Sequence, residues 1–276
     1  MNNQNDLLFK NNNTGMIIGL ITIVIFLVNS LLSVFLKDIF YLLQELLESY
    51  YANDVVNLII ITIVLIIFLI YHRLDNRAKV FLLPGILLFI LYNCISYLIS
   101  IKTIQAILLN SILIALSIIS LSLIFHDAKT ISGYNKISVI KIRIIGGILL
   151  FFAIIFLVRA TNNIINVINI KKSLTLVEIS VNISDLIICS FWGVSSILLI
   201  LRIKIGEILS FASYFQGTLL FVGLILYLIL KPIFNNSNIV VKDIIVIFTM
   251  ALIFIVPFIV FSVKLIGKSK NESITN

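Results

Sequence analysis

Eight long apolar blocks, each closed at both ends by a charged residue or a histidine, leave this chain very few ways to fold. They cover residues 11–36, 55–71, 80–101, 103–125, 144–158, 179–201, 208–230 and 244–263, and only the sixth carries a charge inside it, at Asp185. A helix needs about 20 residues, roughly 17–25, at ~1.5 Å each to cross the hydrocarbon layer. Seven blocks reach that length. The fifth does so only if its helix runs on past Arg159 into Ala160-Thr161-Asn162-Asn163-Ile164. That continuation is expected, with Arg159 near one membrane face where it can snorkel or pair. The blocks are continuous rather than alternating, so each satisfies its own backbone as a helix. The expected fold is all-α, a polytopic helical membrane bundle with eight transmembrane helices. With 61% hydrophobic and 12% charged residues, a soluble domain of ordinary composition, about 25% charged, is excluded.

Lysine and arginine set the expected orientation. The N-terminal tail and the loops after the second, fourth and sixth spans, with the C-terminal tail, hold Lys10, Arg73, Arg77, Lys79, Lys129, Lys136, Lys141, Arg143, Arg202, Lys204, Lys264, Lys268 and Lys270. The other side holds Lys37, Lys102, Arg159, Lys171, Lys172, Lys231 and Lys242. Thirteen against seven of the 20 basic residues place both termini in the cytoplasm. The net charge of +8 belongs to these loops and to anionic lipid head groups. No basic stripe with interleaved aromatics is present, so no nucleic-acid partner is expected.

The expected domain layout is a disordered, asparagine-rich tail over 1–15, a single membrane domain over 16–265 and a C-terminal tail over 266–276. Residues 37–51 place apolar side chains at 39, 42, 43, 46, 47 and 50 opposite Asp38, Gln44, Glu45 and Glu48. That pattern predicts an amphipathic helix lying in the interface, or else a helical extension of the first span. Pro84-Gly85 and Pro257 are expected to loosen or kink the third and eighth spans.

The sixth block concentrates the unusual chemistry. At helical spacing Glu178, Asn182, Asp185, Cys189, Gly193 and Ser196 form one stripe. A carboxylate within hydrocarbon costs a few kcal/mol, so Asp185 must face protein or water and have a partner. Arg159 is the expected partner, with Lys171 or Lys172 second. With both termini inside, Asn29 and Ser33, Asn57, Asn93 with Tyr97 and Ser100, Asn110 and Ser111, Arg159, and Asn182 with Asp185 all fall toward the outer side. Asn93, Ser96, Tyr97 and Ser100 share a helical face. The candidate pocket is Asp185, Arg159, Asn182, Glu178, Asn93, Tyr97, Asn110 and Asn29, open to the outside. Asparagines and serines also fasten packed membrane helices without any ligand, for ~0.6 kcal/mol apiece, and both readings stand at this point. Glu207 reads as an anchor at a helix N-terminus.

Other chemistries find no support. Cys94 and Cys189 are isolated within apolar blocks, and His72 and His126 stand at span ends without a metal-binding partner pattern. No nucleophile elbow, phosphate loop or dinucleotide fingerprint occurs, so neither a cofactor nor a metal is expected and an enzyme is disfavoured.

Two stretches carry a resemblance. The first is Asn53-Asp54-Val55-Val56 with Arg73, Arg77, Gly85, Tyr92-Asn93 and Tyr97; the second is Asp185-Leu186 with Arg202 and Gly206. In these the chain resembles a group of uncharacterised bacterial and archaeal integral membrane proteins with several spans. The resemblance implies a multi-pass topology and an emphasis on Asp185, and no substrate. The leading expectation is a small-molecule or ion binding or permeation protein of the cell membrane, in contact with lipid. A structural or assembly subunit is the alternative, and a lipid-acting membrane enzyme a weaker one. A water-accessible cavity at Asp185 favours the first, and a dry, fully paired Asp185 favours the second.

Overall fold

The computed structural model describes residues 13–72, 76–128, 138–170 and 175–265. Among them are nine helices and no strand: α1 Asn13–Phe35, α2 Lys37–Phe40, α3 Gln44–His72, α4 Asn76–Ser100, α5 Ile104–Ala128, α6 Val139–Ile170, α7 Leu176–Ile200, α8 Lys204–Phe234 and α9 Val241–Leu265. All but the single turn α2 are long and apolar enough to cross a membrane. Of the tail expected over 1–15, residues 13–15 instead open α1, where Gly15 packs against Leu123 and Ile124; residues 1–12 and 266–276, and Arg73, Lys129, Lys136, Lys171 and Lys172, lie outside the described residues. Consecutive spanning helices alternate in direction, so the connections after α1, α4, α6 and α8 gather at the end opposite the termini.

Side-chain burial shows which helix is central. In the span of α4, 72% of residues are buried, against at most 44% in any other span. Its polar face, Asn93, Ser96, Tyr97 and Ser100, needs protein partners rather than lipid, and α4 packs against α1, α3, α5, α7 and α8. The outer helices present Ile63, Ile66, Phe151, Val194 and Val256, each more than half exposed. A soluble fold would hide such a surface, and lipid is its natural solvent.

One further boundary differs from the sequence expectation. Residues 44–51 do not form a separate interfacial helix: they are the first two turns of α3, which runs unbroken from Gln44 to His72. Leu46 and Tyr50 are buried against Phe40, Tyr41, Tyr97, Ile101 and Ala106, so the apolar face of this segment is satisfied by protein rather than by lipid. The fifth span does continue past Arg159, and α6 reaches Ile170, 32 residues in all.

The turn between α7 and α8 closes tightly. Arg202 adopts φ 59°, the left-handed conformation, and its amide and that of Ile203 donate to the carbonyls of Leu199 and Leu198. This is the double bond pattern of a Schellman cap, with arginine where glycine is usual. Gly206, in the first turn of α8, lies directly against that cap: a Cβ there would overlap the Leu198 carbonyl carbon and stand 2.6 Å from the Leu199 nitrogen.

Helix α9 packs principally along α8, where Phe254 inserts over Gly217. The Phe254 ring lies 5.0 Å from both Trp192 and Phe221 and 5.4 Å from Phe152, which ties α9 to α6, α7 and α8. This aromatic group forms the floor beneath the site described next.

Candidate functional site

Helices α3, α4, α6, α7, α8 and α9 surround a cavity of about 530 Å³. Its depth follows from position along the helices. Asp185 stands nine residues beyond the start of α7, Arg159 eleven before the end of α6 and Asn93 seven before the end of α4. At ~1.5 Å per residue the polar groups lie roughly 10–16 Å from the helix ends opposite the termini.

Asp185 is the charged centre of the wall. Its Oδ2 accepts from Nη2 of Arg159 at 3.0 Å, and its Oδ1 accepts from the Tyr92 hydroxyl at 3.1 Å. The Arg159 guanidinium also stands over the Phe156 ring, 5.4 Å from its centroid. The Asp185 side chain is 12% exposed and that of Arg159 53%, so the acid is sunk in the wall and the base reaches in from outside. Sequence spacing had paired these two, and they do pair.

Asn53, Asn57, Asn93 and Ser96 extend the polar wall along α3 and α4. Behind them lies a second acid, Asp54, 2% exposed and ten residues into α3. Its Oδ1 accepts from the Tyr97 hydroxyl at 2.7 Å, and its Oδ2 accepts from that of Tyr41. Burial, then the nearby Asp54 carboxylate, holds the Tyr41 phenol well above its ordinary pKa, so it stays a donor at neutral pH. Because Tyr97 spends its only proton on Asp54, its oxygen must be an acceptor toward the amides beside it. Nδ2 of Asn53 and of Asn57 donate to it at 2.9 and 3.3 Å, and Asn53 also reaches Oδ1 of Asn93 at 3.2 Å. A hydroxyl cluster adjoins: Tyr50 meets Ser100, Ser180 and Ser96 at 2.6, 2.8 and 3.0 Å, joining α3, α4 and α7.

Most of the rest of the lining is apolar. Phe89, Phe156, Ile188, Trp192, Leu220, Phe221, Ile247 and Met250 belong to it, and Trp192 is turned so that Nε1 donates to Oε1 of Gln216 at 2.6 Å. At the end opposite the termini Lys231 reaches Ser49 at 3.4 Å, and Asn235 bonds the Glu48 carbonyl at 3.2 Å, which holds the end of α8 against the start of α3.

Of the residues singled out from sequence, Asp185, Arg159 and Asn93 line the cavity, and Tyr97 stands one hydroxyl behind it. The other four do not line it. Glu178 is the third residue of a capping box: its Oε2 accepts from the Thr175 amide at 2.9 Å while Thr175 Oγ1 accepts from the Glu178 amide at 3.2 Å. It starts α7 rather than facing a ligand. Asn182 fastens α6 to α7, accepting from Asn163 at 3.0 Å. Asn29 and Asn110 are buried on α1 and α5, two helices that contribute nothing to the lining. Glu207 is 1% exposed in the first turn of α8, more deeply enclosed than a terminal anchor. From sequence Asp54 stands out only within the stretch Asn53-Asp54-Val55-Val56 and not as a site residue, because a charged residue there marks the end of a span. Yet Tyr50, Asn53, Asp54 and Asn57 recur at i, i+3, i+4 and i+7, the polar face of one helix.

No family model matches the chain, and neither the curated proteins nor the solved structures searched show a detectable match to it. Fold and composition define its class: this is a multi-pass helical membrane protein with eight helices able to span the bilayer, and it contacts lipid.

Proposed function

We propose that the protein binds a small molecule in this cavity, as a binding or permeation protein of the cell membrane, with both termini cytoplasmic and the cavity facing outward. The observation that carries the reading is a cavity of about 530 Å³ reaching the Asp185–Arg159 pair, within the range of ~300–1,000 Å³ common to ligand sites. Enclosing an ion pair in a dry core costs desolvation that its attraction often fails to repay, and this pair instead stands at a cavity wall with its base exposed. Six residues of the two resembling stretches, Asn53, Asp54, Tyr92, Asn93, Tyr97 and Asp185, lie in or directly behind the polar wall, while Gly85, Arg202 and Gly206 lie away from it.

The test exchanges Asp185→Asn and Arg159→Gln, singly and together, in the full-length protein purified in an uncharged detergent. The expected result is a small molecule released from the wild type on denaturation and detected by mass spectrometry, and its loss from both single variants with thermal midpoints close to wild type. If instead each single variant loses stability, the double variant regains it and nothing is released from any of them, the pair is a fastener and the proposal fails.

A further inference from the structure

The cavity's charge balance narrows the class of molecule it accepts. Its lining contains one acid and one base, Asp185 and Arg159, and every other lining residue is uncharged. A singly charged ligand would leave a net charge in a low-dielectric enclosure, at a cost of several kcal/mol. The pair itself is only partly used. Among the described residues, one guanidinium nitrogen of Arg159 meets an acceptor, and each Asp185 oxygen takes one donor. A guanidinium has five N–H groups and a carboxylate about four acceptor sites, so both ends retain capacity for charge-assisted bonds. Phe89, Phe221, Leu220 and Met250 carry no hydrogen-bonding group, Trp192 spends its N–H on Gln216 and Phe156 has the Arg159 guanidinium over its ring, so this part of the lining suits an apolar body.

We propose that the cavity takes a zwitterionic amphiphile. Its apolar body lies along the aromatic wall, and its head sets an anionic group against Arg159 and a cationic group against Asp185. Head and pair then form a neutral array of four charges. The inference rests on the reading of the cavity as a ligand site. Two sources share this chemistry, an amino acid with a large apolar side chain and a zwitterionic lipid.

Trp192 supplies the readout, because it is the chain's only tryptophan, lines the cavity and is 2% exposed. Its fluorescence is followed in the full-length protein, in a maltoside detergent, against probes with one body and four heads: phenylalanine, phenethylamine, 3-phenylpropanoate and 2-phenylethanol. Short-chain dihexanoyl phosphatidylcholine and phosphatidylglycerol form the lipid arm. Binding of a zwitterion about tenfold or more tighter than its charged and neutral counterparts is expected, and the arm in which this occurs identifies the source. Asp185→Asn should turn the preference toward the anion, and Arg159→Gln toward the cation. If either variant fails to fold, the wild-type ranking decides alone. A charged or neutral probe binding as tightly as the zwitterion would overturn the head assignment and leave the cavity reading intact. Silence of Trp192 to every probe would overturn both.

Discussion

Replacing Asp54 by alanine is expected to destabilise the folded protein by ~2–5 kcal/mol, more than any change at the Asp185 pair. The size follows from what the carboxylate satisfies. Tyr97 and Tyr41 both donate to it, and the two phenols are 3% and 4% exposed. Removing the acceptor strands two buried donors, each at ~1–3 kcal/mol. The loss also spreads, because the Tyr97 oxygen is held in place by Asn53 and Asn57 on α3. Asp54→Asn keeps the shape and one acceptor oxygen, so it should recover more than half of the loss. Denaturant unfolding in mixed micelles reads both variants. An alanine variant within ~0.5 kcal/mol of wild type would show that the network is not fastening α3 to α4.

The second large effect lies at the opposite end of the bundle. Gly206→Ala is expected to cost ~2–4 kcal/mol, because the added methyl meets backbone of the α7 cap rather than a side chain that can rotate away. A shift of that turn would displace α7 against α8 and disturb Ser210, whose hydroxyl donates to the Ser195 carbonyl at 2.9 Å. Arg202→Gly, four residues earlier, should be more stable than Arg202→Ala by ~0.5–1 kcal/mol, since both lose the arginine side chain and only glycine adopts φ 59° without the Cβ clash. Glycine is thus expected to be favoured over alanine at both 202 and 206, and no preference at either position would contradict the cap geometry.

The spans were legible because burial in lipid demands unbroken apolar length, and charged residues mark where that length ends. The same rule failed where a charge is neutralised inside the protein. Asp54 ended a span on paper, and in the fold it is enclosed by two tyrosines that come from a loop and from α4. Asp185 was visible because it interrupts an apolar run, and Arg159 because it shares the depth of Asp185, whereas Lys204, nearer in sequence, stands beyond the far end of α7. Depth along a helix can be read from a sequence, but the angle at which a helix turns in the bundle cannot. Asn29 and Asn110 therefore shared the expected depth and still lay on the wrong helices. The apolar half of the site was invisible for a related reason: Phe156, Trp192, Phe221 and Met250 look like any other lipid-facing residues until α9 is placed beside α8.

The central claim is that the paired acid stands at the wall of a cavity open to the outer face. Labelling of a single cysteine tests it most directly. With Cys94 and Cys189 replaced by alanine, Val181→Cys puts a thiol on the cavity wall one turn from Asp185. In intact cells a membrane-impermeant thiosulfonate reagent should modify it from outside, and should leave a cysteine at Ser117, which is fully buried on α5, unmodified. Absence of labelling at position 181 in intact cells, with labelling only after the cytoplasmic face is opened, would contradict the outward orientation; absence from both sides would contradict the cavity itself.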